Sequence, residues 1–336
     1  MPAFAGMSDA ARFPSVPGAG KVDFPDLETP LAALAGAPPP APAWFAEAVA
    51  TLPESCFVEV DGARIHYLRW GDKARPGLLL VHGNAAHAYW WSFIAPFLAR
   101  DYNVAAIDLS GMGDSDWRAG GYTMEQFARE ELAVCEDAGM FAPSEPPIIV
   151  AHSFGGFVTI LTGALYGERL SGTVIVDSPV NPPGRPGIAA HRHKPHRIYP
   201  SMAAALGRFR LLPPQTCDNL YLLDWVARHS LRETDGGFSW KFDPAIWRDF
   251  SIGDISARLK ATKCRIAVFR GEHSILLPRQ IGEYMFNLLG RAAPVVEIPQ
   301  AQHHIPLDQP SAFVAALRAL LADWEHSVSR RKSNNA

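Results

Sequence analysis

The chain has 336 residues, 48% of them apolar, enough to bury a full core and better suited to one large domain with an insertion than to two separate domains. A net charge of −3 with both signs scattered gives no electrostatic case for nucleic acid or a membrane surface as a partner. Four cysteines, Cys56, Cys135, Cys217 and Cys264, lie far apart without C-x-x-C spacing, which points to reduced thiols and a cytoplasmic protein.

Residues 1–54 are rich in Ala and Pro, including the run Ala37-Pro38-Pro39-Pro40-Ala41-Pro42-Ala43. Such a stretch favours extended backbone, so an N-terminal arm is expected here, anchored at its end by Trp44, Phe45 and Val49. The chain does not open on a basic region followed by a long apolar stretch, and no apolar run approaches the ~20 residues of a membrane helix. Neither a secretory signal nor a membrane span is expected.

Short β-branched runs then alternate with helical patterns. The predicted strands are Phe57–Val60, Arg64–Trp70, Leu78–Val81, Val104–Asp108, Ile148–His152, Thr173–Asp177, Arg265–Arg270 and Val295–Ile298. Asp61-Gly62 reads as a hairpin turn, which makes the opening pair antiparallel. Phe313, Leu317, Leu320, Leu321 and Trp324 share one face of a closing helix. The alternation implies an α/β class with a mostly parallel eight-stranded sheet covered by helices on both faces. Residues 55–180 and 250–328 make up this core. Residues 181–249 break the rhythm with prolines, Trp225, Trp240, Trp247 and a helix-like stretch Asn219–Ser230. A polar, frayed tail is expected at 329–336.

The most telling stretch is Ile148-Ile149-Val150-Ala151-His152-Ser153-Phe154-Gly155-Gly156. A strand ends abruptly at a serine and a helix begins at once, which holds the hydroxyl at the apex of a strained turn beside free N–H groups. The pattern resembles the nucleophile elbow G-x-S-x-G of the α/β-hydrolase family, with Ala151 in place of the first glycine. The resemblance covers roughly residues 55–328. It implies the α/β-hydrolase fold, with 181–249 as a helical lid, and it makes Ser153 the nucleophile.

The same resemblance assigns the remaining parts. Val81-His82-Gly83-Asn84 ends the third strand, and the backbone N–H groups of Asn84 and Phe154 are the implied oxyanion donors. The family pattern places its histidine seven residues before the proline that opens the final helix, which selects His303 over His304; His304 reads as a packing residue. Most relatives carry the acid after the seventh strand, but here Ser274 and Ile275 fill that place. Some relatives take it from the end of the sixth strand, which points to Asp177, with Glu272 or a Ser–His dyad as alternatives.

Other signals carry less. Ile107 to Ser115 is similar to a dinucleotide loop but lacks its third glycine, and it reads as structural. His191-Arg192-His193-Lys194-Pro195-His196 approaches a metal motif with an incomplete ligand set among cationic neighbours, so no metal and no cofactor are expected. The basic run Arg185–Arg197 reads as a solvated face. Trp90, Trp91 and Trp225 are expected to line the substrate pocket.

The resulting expectation is a serine hydrolase that cleaves a carboxylic ester or lactone of a moderately apolar or aromatic small molecule. The rival readings are a C–C bond hydrolase or cofactor-free oxygenase on the same scaffold, and a non-catalytic ligand receptor. The expected partner is a small-molecule substrate, and a homodimer is left open.

Overall fold

The structure is a computed structural model that describes residues 29–143, 145–183 and 197–326. Ten strands form among the described residues: β1 (Glu54–Val60), β2 (Ala63–Trp70), β3 (Gly77–Val81), β4 (Asn103–Ile107), β5 (Ile148–His152), β6 (Gly172–Val176), β7 (Leu231–Thr234), β8 (Gly237–Trp240), β9 (Arg265–Gly271) and β10 (Val295–Ile298). Eight of them make one sheet in the order β1-β2-β4-β3-β5-β6-β9-β10. Only β2 opposes its neighbours; the pairs from β4 through β10 are parallel. The β1–β2 turn falls on Asp61 and Gly62, both at positive φ (49° and 74°), the primed turn that a two-residue hairpin favours.

Strands β3 to β6 are buried at every position, as expected of parallel strands covered on both faces. The period of two divides their side chains between two layers. Leu78, Leu80, Val104, Ala106 and Val150 face the layer that holds Phe313, Leu317, Leu320 and Leu321 of the helix Pro310–His326. Leu79, Val81, Ala105, Ile107 and Ile149 face the opposite layer, with Phe127, Leu132 and Val158 of the helices Met124–Asp137 and Phe154–Tyr166.

The insertion departs from the expected all-helical form. Its described part contains the helices Met202–Leu206 and Leu220–His229, but also the antiparallel pair β7–β8. The turn uses Gly236 at φ 88°, and Gly237 lies so close to the Tyr199 carbonyl that a Cβ there would sit 2.0 Å from its oxygen. Trp247 packs against Phe154 and Phe250 in the core layer. Of the expected arm, residues 29–53 include the helix Ala43–Ala50, with Leu31 and Phe45 buried. Phe45 stacks edge-on against Tyr221 and Trp225 of the insertion, so these residues pack rather than trail. Residues 1–28, the histidine motif at 191–196 and the tail 329–336 lie outside the described residues.

Between the helices Met124–Asp137 and Phe154–Tyr166 lies the fully buried Glu131, which faces the hydroxyls of Thr159 (2.7 Å) and Thr162 (2.5 Å). Burial pushes its carboxyl up to about 8, although both hydroxyls favour the ionised form. In the unfolded chain the group ionises near its ordinary value of 4.5. Between those two values the unfolded state has lost a proton that the fold keeps, so stability falls as pH rises through that window. Replacing Glu131 by Gln keeps the shape and removes the titration. Urea unfolding at pH 5 and pH 8 should show a flatter pH dependence for E131Q than for the natural protein, with the gain at pH 8; equal slopes would contradict the assignment.

Candidate active site

Ser153 sits between β5 and the helix Phe154–Tyr166 at φ 54°, ψ −118°, a region that costs about 1–3 kcal/mol for a residue with a side chain. Hydrogen bonds from both sides hold it there. Its N–H donates to the Val176 carbonyl (2.9 Å), and the Ser178 hydroxyl donates to its carbonyl (2.7 Å). The two glycines that follow are needed for close approach, not for their own torsions. A Cβ at Gly155 would lie 2.5 Å from the His82 carbonyl oxygen, and one at Gly156 would lie 2.0 Å from Ser178 Oγ. Ala151 is buried within β5, paired with Val81 and Ile175, where a methyl group fits.

Three predicted residues meet here. His303 Nε2 is 2.9 Å from Ser153 Oγ, and His303 Nδ1 is 2.8 Å from Asp177 Oδ2. Asp177 follows β6 at φ 49°, with its N–H bound to the Phe269 carbonyl. Its Oδ1 accepts the Gly271 N–H (3.0 Å), and its Oδ2 also accepts the Ser274 hydroxyl (2.5 Å). With both oxygens accepting, the His303 proton belongs on Nδ1, which leaves Nε2 to accept the Ser153 hydroxyl. Glu272 is not part of this chain. It accepts the Gln300 N–H and lies 3.7 Å from the exposed His273.

Ser274 stands where most relatives carry the acid, and its hydroxyl is fully engaged. It donates to Asp177 and accepts the N–H groups of Leu276 and Leu277 (3.2 and 3.0 Å). Sequence reasoning noted the position but not this role. A serine in place of an expected acid, opposite an unpaired acid on the next strand, is the signal that could have found it.

The loop after β3 reaches the serine. A Cβ on Gly83 would lie 3.1 Å from Ser153 Cβ, which places Asn84 beside the elbow. Phe154 is the first residue of its helix, so its N–H has no intrahelical acceptor, and among the described residues the Asn84 N–H has no protein acceptor either. The loop is braced from below. His82 donates from Nδ1 to the Gly83 carbonyl and accepts the Leu109 N–H at Nε2. Asp108 accepts the N–H groups of Ala88 and Asp114. Burial alone would raise the Asp108 carboxyl, but His66, with help from His82 and His87, outweighs it and holds the group down at about 2. The Asp108 loop is therefore structural, and a Cβ on Gly113 would collide with its carboxylate.

The aromatic residues separate. The Trp90 ring is 5.4 Å from that of His304, which in turn lies 4.8 Å from His303. Trp91 instead packs against Phe313 in the core and is 1% exposed, so it does not line the site. Trp225 packs edge-on against Phe45 and donates its Nε1–H to Ser92 Oγ (2.9 Å). His304 is buried between Trp90 and His152, and burial, with His303 and His152 adding to it, pushes its pKa far below the ordinary range. His152 is likewise pushed down to about 3, chiefly by burial, and its Nε2–H donates to the His303 carbonyl (2.9 Å).

His152, His303 and His304 each bring a nitrogen within 4.8 Å of the others, as do ligand atoms of His66, Asp108 and Asp114. Both groups have the donor chemistry for a metal ion. Their atoms are largely committed to protein partners: His303 to Ser153 and Asp177, and Asp108 to His66, Ala88 and Asp114. Among the described residues, no helix is long and apolar enough to cross a membrane.

Residues 78–317 match the model of the alpha/beta hydrolase family. An esterase of Mycobacterium tuberculosis, Rv0045c, is 27% identical over 273 residues, covering 78% of this chain and 88% of that protein. N-formylmaleamate deformylase of Pseudomonas putida is 26% identical, covering 77% of this chain and 93% of its own. The thioesterase domain from the curacin biosynthetic pathway has the same fold, with a TM-score of 0.65 at 22% identity over 80% of this chain and 99% of that one. With a family match across most of the chain, on a parallel sheet that ends in a strained serine, the chain belongs to the alpha/beta hydrolase family.

Proposed function

We propose that the protein is a serine hydrolase that cleaves a carboxylic ester or lactone of a small, moderately apolar molecule through an acyl-enzyme. The observation that carries this reading is the unbroken chain from Ser153 Oγ through His303 to Asp177. His303 takes the hydroxyl proton as Ser153 attacks the carbonyl carbon. The resulting oxyanion faces the N–H groups of Asn84 and Phe154, and each such donor typically lowers the barrier by about 3–4 kcal/mol. The imidazolium then protonates the departing alcohol. Water, deprotonated by the same imidazole, releases the acid. Asp177 keeps the tautomer and stabilises the imidazolium. Relatives named as esterase, lipase and deformylase support hydrolysis of an acyl bond.

Turnover of p-nitrophenyl butyrate should fall on the order of 10⁶-fold in S153A, and activity close to the natural level would sink the scheme. A panel of esters, lactones and N-formyl amides then identifies the bond, with the highest kcat/KM expected on the first two.

The acid can be tested separately. D177N should lose about 10⁴-fold in kcat, while E272Q should stay near the natural rate. Because Ser274 Oγ already reaches Asp177 Oδ2, a carboxylate at 274 comes close to His303 as well. The double variant D177N/S274D should therefore recover activity above D177N alone; a D177N variant that keeps the natural rate would remove Asp177 from the mechanism.

A further inference from the structure

A second serine–histidine–aspartate chain crosses the edge of the sheet. Ser55 Oγ on β1 is 2.9 Å from His66 Nε2 on β2, and His66 Nδ1 is 2.7 Å from Asp108 Oδ2. The equivalent separations at Ser153 are 2.9 and 2.8 Å. His66 and Asp108 are buried, at 3% and 1% exposure, whereas Ser55 is exposed. Asp108 is held ionised, so it only accepts. The His66 proton therefore sits on Nδ1, and Nε2 is left to accept the Ser55 hydroxyl.

The strand register supplies a free donor at the same place. The His66 N–H donates to Ser115 Oγ and its carbonyl accepts the Asp108 N–H, so both point away from β1. His66 stands opposite Phe57, which makes this a non-hydrogen-bonded pair; with the two-residue period, the Ser55–Leu68 pair is one too. Strand β1 is the last in the sheet. The N–H groups of Ser55 and Phe57 therefore point outward along an edge that no strand covers among the described residues. The Phe57 ring lies 5.0 Å from the imidazole and is 45% exposed, an apolar shelf beside the hydroxyl.

We propose that Ser55 is a second nucleophilic site, modified by small activated acyl or phosphonyl donors that reach the sheet edge. In the acyl case, Ser55 Oγ bonds to the carbonyl carbon of an aryl ester while its proton passes to His66 Nε2. The aryloxide departs and takes that proton, leaving O-acyl Ser55 and a neutral imidazole. Asp108 steadies the transient imidazolium. Only the Ser55 N–H faces the oxyanion, one donor where the main elbow offers two, so the reaction is slower by about 10²- to 10³-fold. The proposal is independent of the role assigned to Ser153.

The test uses the full-length S153A protein and a fluorophosphonate probe, whose fluoride leaves as the serine–phosphorus bond forms. Intact-mass measurement with peptide mapping should find one slow adduct, located on Ser55. S153A/S55A should lose it, and S153A/H66N should form it at least tenfold more slowly. Ser55 is exposed on an edge strand, so S55A keeps the test sound even where a His66 variant does not fold. S55A alone should leave ester turnover by the otherwise natural protein unchanged. No adduct at Ser55, or an adduct formed no faster than on other exposed serines, overturns the proposal.

Discussion

Strands β5 and β6 run side by side and end in two residues, Ser153 and Asp177, that both leave the sheet at positive φ. Everything at the site depends on this pair of strained exits. In a parallel sheet the carboxyl ends of neighbouring strands open at one edge, which is where ligands gather in open α/β folds. A regular strand end would direct each side chain along its strand. The left-handed turn instead sends both chains into the crevice above. The strain is held by hydrogen bonds that the neighbours supply, from Ser153 to Val176, from Asp177 to Phe269 and from Ser178 to Ser153. Ser153 is thus braced by β6 and by the residue after Asp177, while Asp177 is braced by β9.

The place of the proposed acid at the end of β6 follows from the same arrangement. Asp177 emerges between the serine and β9, close enough that the end of β9 and the loop after it provide donors for both of its oxygens. Gly271 and Ser274 give one each, and His303 gives the third. A carboxylate with three such partners is fixed in orientation without an apolar wall. The loop after β9 keeps its supporting place in the site while contributing a hydroxyl in place of a charge. Position 274 is thus joined to His303 by hydrogen bonds through Asp177.

Much of this was legible in the sequence, for local reasons. The elbow is a contiguous signal, since a β-branched run, a serine and two glycines define strand, turn and helix without knowledge of anything distant. Asp177 was legible through the resemblance, since Ser274 and Ile275 cannot carry a charge and some relatives take the acid from the sixth strand, with Glu272 and a Ser–His dyad left as alternatives. What stayed hidden depends on contacts between distant segments. Trp90 and Trp91 are adjacent, and only the fold shows that one faces His304 while the other points into the core toward Phe313. The contact of the Ser274 hydroxyl with Asp177 is likewise a pairing between distant segments that no spacing encodes. The β7–β8 hairpin has a local signal in the turn Asp235-Gly236-Gly237, set among prolines and tryptophans that break any strand pattern around it.

The described part of the insertion is bound to both halves of the site. On the oxyanion side, His87 Nε2 lies 2.8 Å from Ser230 Oγ and 3.1 Å from the Val226 carbonyl, and Trp225 donates to Ser92. On the histidine side, Gln215 donates to Asp308 and accepts the His304 N–H, while Asn219 donates to the Leu307 carbonyl. His87 is buried, and burial pushes its pKa down to about 3, so swinging the insertion away would expose or orphan groups that are satisfied only in place. The same motion would loosen the loops that carry Asn84 and His303. The described part of the insertion is thus tied by hydrogen bonds to the loops that carry the proposed donors and the proposed base.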